Sequence, residues 1–184
     1  MRVRLVTAQN QGVALKMLRD IAEEATIDRL VRQTALDIVG DESCRGKNAK
    51  ADACQLESIF WAVKNGDPNV QALKRGVKYI SDPRYADFFT TPGRLLRQCS
   101  KSSRQCAEDC ESHATLVAAL AGAIGFRSGI RAWGPAGQDY EHAYAVVKFP
   151  KHRMVEEIAL DTSTEEAFPG WEPPAGRIMT EWIG

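Results

Sequence analysis

The chain predicts an α+β fold: a helical N-terminal part, then one central helix packed on an antiparallel sheet. Three observations predict it. Apolar residues recur at helical spacing through the first third of the 184 residues. Residues 107 to 124 are apolar on most sides, as a buried helix requires. Strand-like pieces then follow one another with turns between them. Helices first and strands later, without regular alternation, is an α+β order.

Each element has its own signal. Val13 to Glu24 carries apolar residues at 14, 17, 18 and 21. Thr26 is placed to cap a second helix whose stripe is Ile27, Leu30, Val31, Ala35, Ile38 and Val39, ended by Gly40-Asp41. The polar residues from 41 to 52 read as a solvated loop. Cys54 to Lys64 resumes a helical pattern, which Asn65-Gly66-Asp67-Pro68 breaks. Asn69 to Ile80 reads as another helix, and Ser81-Asp82-Pro83 and Thr91-Pro92-Gly93 as irregular chain. Gly125 is a suitable end for the central helix. Strands are expected over Ser128 to Trp133, Glu141 to Phe149 and Met154 to Asp161, and Phe168 to Gly184 as an extended arm. One domain over 1–184 is expected, with a helical leading part (1–80), a core (81–167) and the arm (168–184).

Composition narrows the classes. Twenty-four basic and 24 acidic residues cancel, which argues against general attraction to nucleic acid or anionic membrane. No run approaches the roughly 20 apolar residues that span a bilayer. Met1-Arg2-Val3-Arg4-Leu5 is basic but leads into no apolar run, so it makes a poor signal peptide. Five cysteines (44, 54, 99, 106 and 110) are an odd number without a CxxC pair. Free thiols in a reducing, cytoplasmic setting are the simplest expectation, and neither a metal nor another cofactor is expected.

The chemistry centres on Glu108-Asp109-Cys110-Glu111-Ser112-His113. A helix starting near Asp109 puts Cys110 in its first turn, where backbone N–H groups and the helix dipole favour thiolate. Asp109 and Glu111 oppose that, so an imidazolium partner is needed. Burial as a small hydrophobe is the competing account of any cysteine. His142 supplies the partner. Alternation puts His142, Tyr144 and Val146 on one strand face and Ala143, Ala145 and Val147 on the other. A two-residue turn at Lys151-His152 pairs 150 with 153 and sets His142 directly opposite Asp161, with Cβ atoms about 5 Å apart. Cys110, His142 and Asp161 are then nucleophile, base and orienting acid. His113 competes as base but lies on the nucleophile's own helix, where internal packing or a local hydrogen bond is expected of it. Trp133, Tyr144 and Trp171 are the candidate substrate-contacting aromatics, with packing the competing account of the tryptophans. Asp82-Pro83 and Asp87-Phe88-Phe89-Thr90-Thr91-Pro92 offer a further candidate cleft wall, with exposed turn packing an equally good account.

These residues resemble the transglutaminase-like superfamily of papain-type cysteine enzymes. The likeness lies in Asp109-Cys110-Glu111-Ser112-His113-Ala114, the small-residue helix to Ala123-Ile124-Gly125-Phe126, and His142 and Leu160-Asp161-Thr162-Ser163 where the family's base and acid fall. Val77 to Pro83, Phe88 to Leu96 and the leading helices are similar to phage and prophage members. Glu111-Ser112 departs from the family's acidic pair, and Asn65 to Gly76 reads as an insertion. The resemblance implies cysteine-dependent acyl transfer on amide bonds, as a peptidase, amidase or cross-linker, acting on a protein or peptide. It also implies phage structural proteins as partners and a location in a bacterial host cell or on a virion. The alternative is a phage structural or assembly protein that keeps the fold without catalysis.

Overall fold

The computed structural model describes residues 11–81 and 89–184. The expectations for Met1 to Leu5, Asp82-Pro83 and Asp87-Phe88 lie outside them. The described chain is mixed helix and antiparallel sheet, in the predicted α+β order.

Helix α1 (Gln11–Ala25) buries Leu15, Leu18, Ala22 and Ala25, a stripe at three- and four-residue spacing. Helix α2 (Arg29–Ile38) begins on Asp28 rather than Thr26. The Asp28 carboxylate accepts from the Leu30 and Val31 amides at 2.8 and 3.3 Å. Thr26 instead donates its hydroxyl to the Glu23 carbonyl and closes the end of α1. Helix α3 (Ala49–Lys64) starts on Asn48, whose side chain accepts from the Ala51 amide, and starts earlier than its apolar pattern indicated.

Three sequence expectations fail between 69 and 110. Asn69 to Ile80 is not a helix. After a 3₁₀ turn at Gln71–Leu73, Gly76 takes φ +64°, and strand β1 (Val77–Tyr79) follows. A positive φ halts a helix, and Val77 and Tyr79 are strand formers. Helix α4 (Pro92–Lys101) occupies a stretch read only as irregular at its start; its proline sits in the first turn, where no N–H is needed. Strand β2 (Cys106–Glu108) pairs in parallel with β1 and takes residues expected in the central helix.

Helix α5 (Cys110–Ala123) therefore starts at the cysteine itself, with Asp109 as its cap: the Asp109 carboxylate accepts from the Ser112 amide at 2.7 Å. Every residue from Ser112 to Ala121 is buried. Its alanines let α1, α2, α3 and the sheet all pack against it. Gly125 closes it at φ +91°, as expected.

The main sheet runs β5-β4-β3-β6, antiparallel throughout: β3 (Ser128–Gly134), β4 (His142–Phe149), β5 (Glu156–Leu160) and β6 (Arg177–Trp182). Ile130, Ala132, Ala143, Ala145, Val147 and Leu160 face the helical core. The arm expected over 168–184 is only half an arm, because its second half is edge strand β6 on β3. The β4–β5 connection is not a two-residue turn. Phe149 pairs with Glu156 and Ala145 with Leu160, so six residues, opened by a cis Phe149-Pro150 bond, form the loop. The register moves by two from the expected one. Position 161 now continues opposite 144, and His142 becomes its diagonal neighbour. An even shift keeps both residues on one face, which is why the expected pair survives.

The cysteines also correct an expectation. Cys44 bonds Cys54, Cys99 bonds Cys106, and Cys110 is the free one. Four of the five cysteines are therefore paired, against the free thiols read from the odd count. Unreduced protein, native or unfolded, should titrate one thiol with a chromogenic disulfide reagent, and reduced protein all five.

Candidate functional site

Asp161 lies just past the end of β5, where Asp161-Thr162-Ser163-Thr164 turns the chain. The turn wraps its own carboxylate. Oδ1 accepts from the Ser163 amide (3.0 Å), the Ser163 hydroxyl (2.8 Å) and the Thr164 amide (3.2 Å). Oδ2 accepts from the Thr164 hydroxyl at 2.7 Å and from His142 Nε2 at 2.7 Å. Burial works to raise this pKa, but the His142 bond and charge, then the Thr164 and Ser163 hydroxyls, outweigh it and lower the pKa to about 2. The carboxyl is therefore ionised at neutral pH, Nε2 carries the proton between them, and Nδ1 is left for another partner. The folded pKa lies below the ordinary 3.8, so this group stabilises the fold fully above about pH 4 and loses that contribution as pH falls towards 2. The contribution is about 2 kcal/mol. Urea unfolding followed from about pH 5 to about pH 2 should show the loss, and Asp161→Asn should remove that part of the pH dependence.

Cys110 sits at the first position of α5, buried, beside the start of β4. The backbone N–H of Ala143, the residue after His142, is directed at its sulfur. The thiol itself donates to Glu111 Oε2 at 3.0 Å. Among the described residues no hydrogen bond joins Sγ to His142. The expected lowering of the thiol pKa is reversed. Burial first, then the Glu111 charge and hydrogen bond, push it well above its ordinary value, against the Ala143 N–H, which works to lower it. The resting group is a thiol held by Glu111, a stronger role for that residue than sequence reading assigned.

Glu111 and His142 both line a cleft of about 280 Å³ whose far wall is α1, through Gln11, Leu15 and Leu18. The Gln11 amide seats α1 on the β3–β4 connection, donating to the Tyr140 carbonyl and accepting from its amide, both at 3.3 Å. Phe89 also lines this cleft, as the expected aromatic wall.

The three candidate substrate aromatics do not line it. Tyr144 is buried; its ring stacks on His142 at 5.8 Å between centroids, and it lies beside Arg131. Trp133 donates Nε1 to the Pro174 carbonyl of the C-terminal arm. Trp171 packs partly buried against the core. Tyr144 and Trp133 share the sheet face of His142 by alternation, and the arm covers them there.

His113 is 1% exposed; Nδ1 hydrogen-bonds the Thr162 hydroxyl at 2.9 Å, and Nε2 is directed at the Lys78 carbonyl without completing a bond. Burial lowers its pKa to about 4, more than the Lys78 carbonyl and Asp161 raise it, so it is neutral. It ties α5 to the Asp161 turn and is out of reach as a proton shuttle. Internal packing, one of the two expectations for it, is what it shows, and its bond is to a residue 49 positions away.

Comparisons of the chain with family models, curated proteins and solved structures return no match. No helix among the described residues is long and apolar enough to cross a membrane.

Proposed function

We propose that the protein is a cysteine-dependent acyl-transfer enzyme of the transglutaminase-like kind, acting on amide bonds in a protein or peptide. The observation that carries this is the 2.7 Å bond from the half-buried His142, which lines a cleft, to the buried Asp161, with the free Cys110 under the backbone N–H of the residue after His142. A helix start, a strand start and a strand end supply the three groups, the division of labour that a nucleophile, a base and an orienting acid need.

The chemistry follows from the geometry. At rest the sulfur keeps its proton and spends it on Glu111. Rotation of Sγ away from Glu111 towards Nδ1 of His142 lets the imidazole take that proton, with Asp161 stabilising the imidazolium. The thiolate adds to the substrate carbonyl carbon. Collapse of the adduct breaks the C–N bond, and the amine leaves with the proton from His142. Water or a second amine then displaces sulfur from the thioester. Glu111 lines the same cleft as His142, so a substrate entering there meets the group that holds the thiol.

Hydroxylamine intercepts a thioester as a hydroxamate. With a protein digest as acyl source, the wild-type protein should form peptide hydroxamates and Cys110→Ala none; equal yields from the two would overturn the assignment. A second reading has one observation in its favour: the thiol is bonded to Glu111 and not to His142. On that reading the chain is a structural or assembly protein, of a phage particle by its resemblance, and the same assay stays blank. Two disulfides fit an extracellular or particle-borne setting better than a reducing cytoplasm.

A further inference from the structure

Lys64 ends α3, and its ammonium donates no hydrogen bond within its own helix. Its ammonium instead reaches the turn that follows Asp161, about a hundred residues away. Nζ donates to the carbonyls of Thr164 (2.6 Å), Glu165 (2.9 Å) and Ala167 (2.7 Å). An ammonium has three donors and no acceptor, so all three are spent on one turn. The Lys64 ammonium also lies 5.3 Å from the Phe60 ring centroid, so the ring adds a cation–π contact at the same place.

Three carbonyls that converge on one point repel one another and need donors once removed from water. A guanidinium is a flat fork and does not match a three-point cradle; a neutral amide supplies only two donors. The link to the site is one residue long. Thr164 gives its carbonyl to Lys64 and its amide and hydroxyl to Asp161. The Thr164 hydroxyl and His142 Nε2 bond the same Asp161 oxygen. We propose that Lys64 is a positioning residue: its ammonium fixes the 164–167 turn and thereby holds the Asp161 carboxylate on His142. This rests on the acyl-transfer reading for its consequence in catalysis, but not for its geometry. Asp161, Glu165 and Glu166 are the acidic groups whose charge the ammonium feels.

The test is Lys64→Ala with and without methylammonium, which can refill the cradle, and with tetramethylammonium, which has the charge but no N–H. Two readouts are taken. One is the His142 Nε2–H proton resonance, which reports the bond to Asp161. The other is the rate of hydroxamate formation. In the variant the resonance should broaden or vanish, and the rate should fall roughly tenfold to a hundredfold, the cost of a misplaced catalytic group. Methylammonium should restore both, and tetramethylammonium neither. An unchanged resonance in the variant, or a loss in folded protein that methylammonium leaves uncorrected, overturns the proposal. Should the alanine variant not fold, Lys64→Met keeps the aliphatic stem; it should lose the resonance, and retention would overturn the proposal. If wild-type protein forms no hydroxamate, the acyl-transfer reading fails, and the resonance still decides the role of Lys64.

Discussion

His142→Ala is expected to slow hydroxamate formation by about 10²- to 10⁴-fold, the usual worth of a positioned general base. No other imidazole among the described residues can take over. His113, the other imidazole near the site, is buried, neutral and bonded to Thr162. Asp161 stays satisfied in the variant, because Ser163 and Thr164 still supply four donors to it. The variant should therefore remain folded, and near-native unfolding by urea beside a collapsed rate is the expected pair of results. A rate within about twofold of wild type would remove His142 from the chemistry.

Glu111→Gln is expected to act in the opposite direction on the thiol. The Glu111 carboxylate stabilises the protonated sulfur both by its charge and by accepting the S–H bond. A neutral amide gives up the charge, so thiolate forms at lower pH. More of the sulfur is then thiolate at fixed neutral pH. Carbamidomethylation of Cys110 by iodoacetamide should be severalfold faster, with its pH profile displaced to lower pH. Since the other four cysteines are paired, the reaction in unreduced protein reports Cys110 alone. A fall in rate would instead make Glu111 the group that accepts the thiol proton.

Local signals carried much of this into view, and long-range ones carried little. The nucleophile's helix start was legible because Asp109 is a capping residue beside an apolar run. The shared face of His142 and Asp161 was legible because strand alternation depends only on parity. Their pairing register was not, because the cis-proline loop after Phe149 has no sequence signature that fixes its length. Val77 to Tyr79 was misread because three strand residues among helix formers leave almost no period to detect. Helix α4 was hidden behind Thr91-Pro92-Gly93, which reads as a break although proline also opens helices.

The electrostatics of the thiol were half legible. The sequence shows Asp109 and Glu111 flanking Cys110, but not that the Glu111 side chain turns back onto the sulfur. The disulfides were out of reach, since spacing alone does not say which cysteines approach. Lys64 could not be found at all, since it sits in no motif, and Thr162, though inside Leu160-Asp161-Thr162-Ser163, gave no sign of its role: each acts on residues far away in the chain. Trp133 and Tyr144 show the converse: alternation puts them on the face of His142, and what keeps them from the cleft is the arm that covers them, which no local pattern foretells.

The central claim is that Cys110 becomes acylated. Intact-mass analysis of acid-quenched protein after brief exposure to the peptide digest tests it most directly. The account predicts one acyl group per chain, located on the peptide that carries Cys110, released by hydroxylamine and missing from Cys110→Ala. Unmodified protein at every time point, or an adduct that persists in Cys110→Ala, would contradict it.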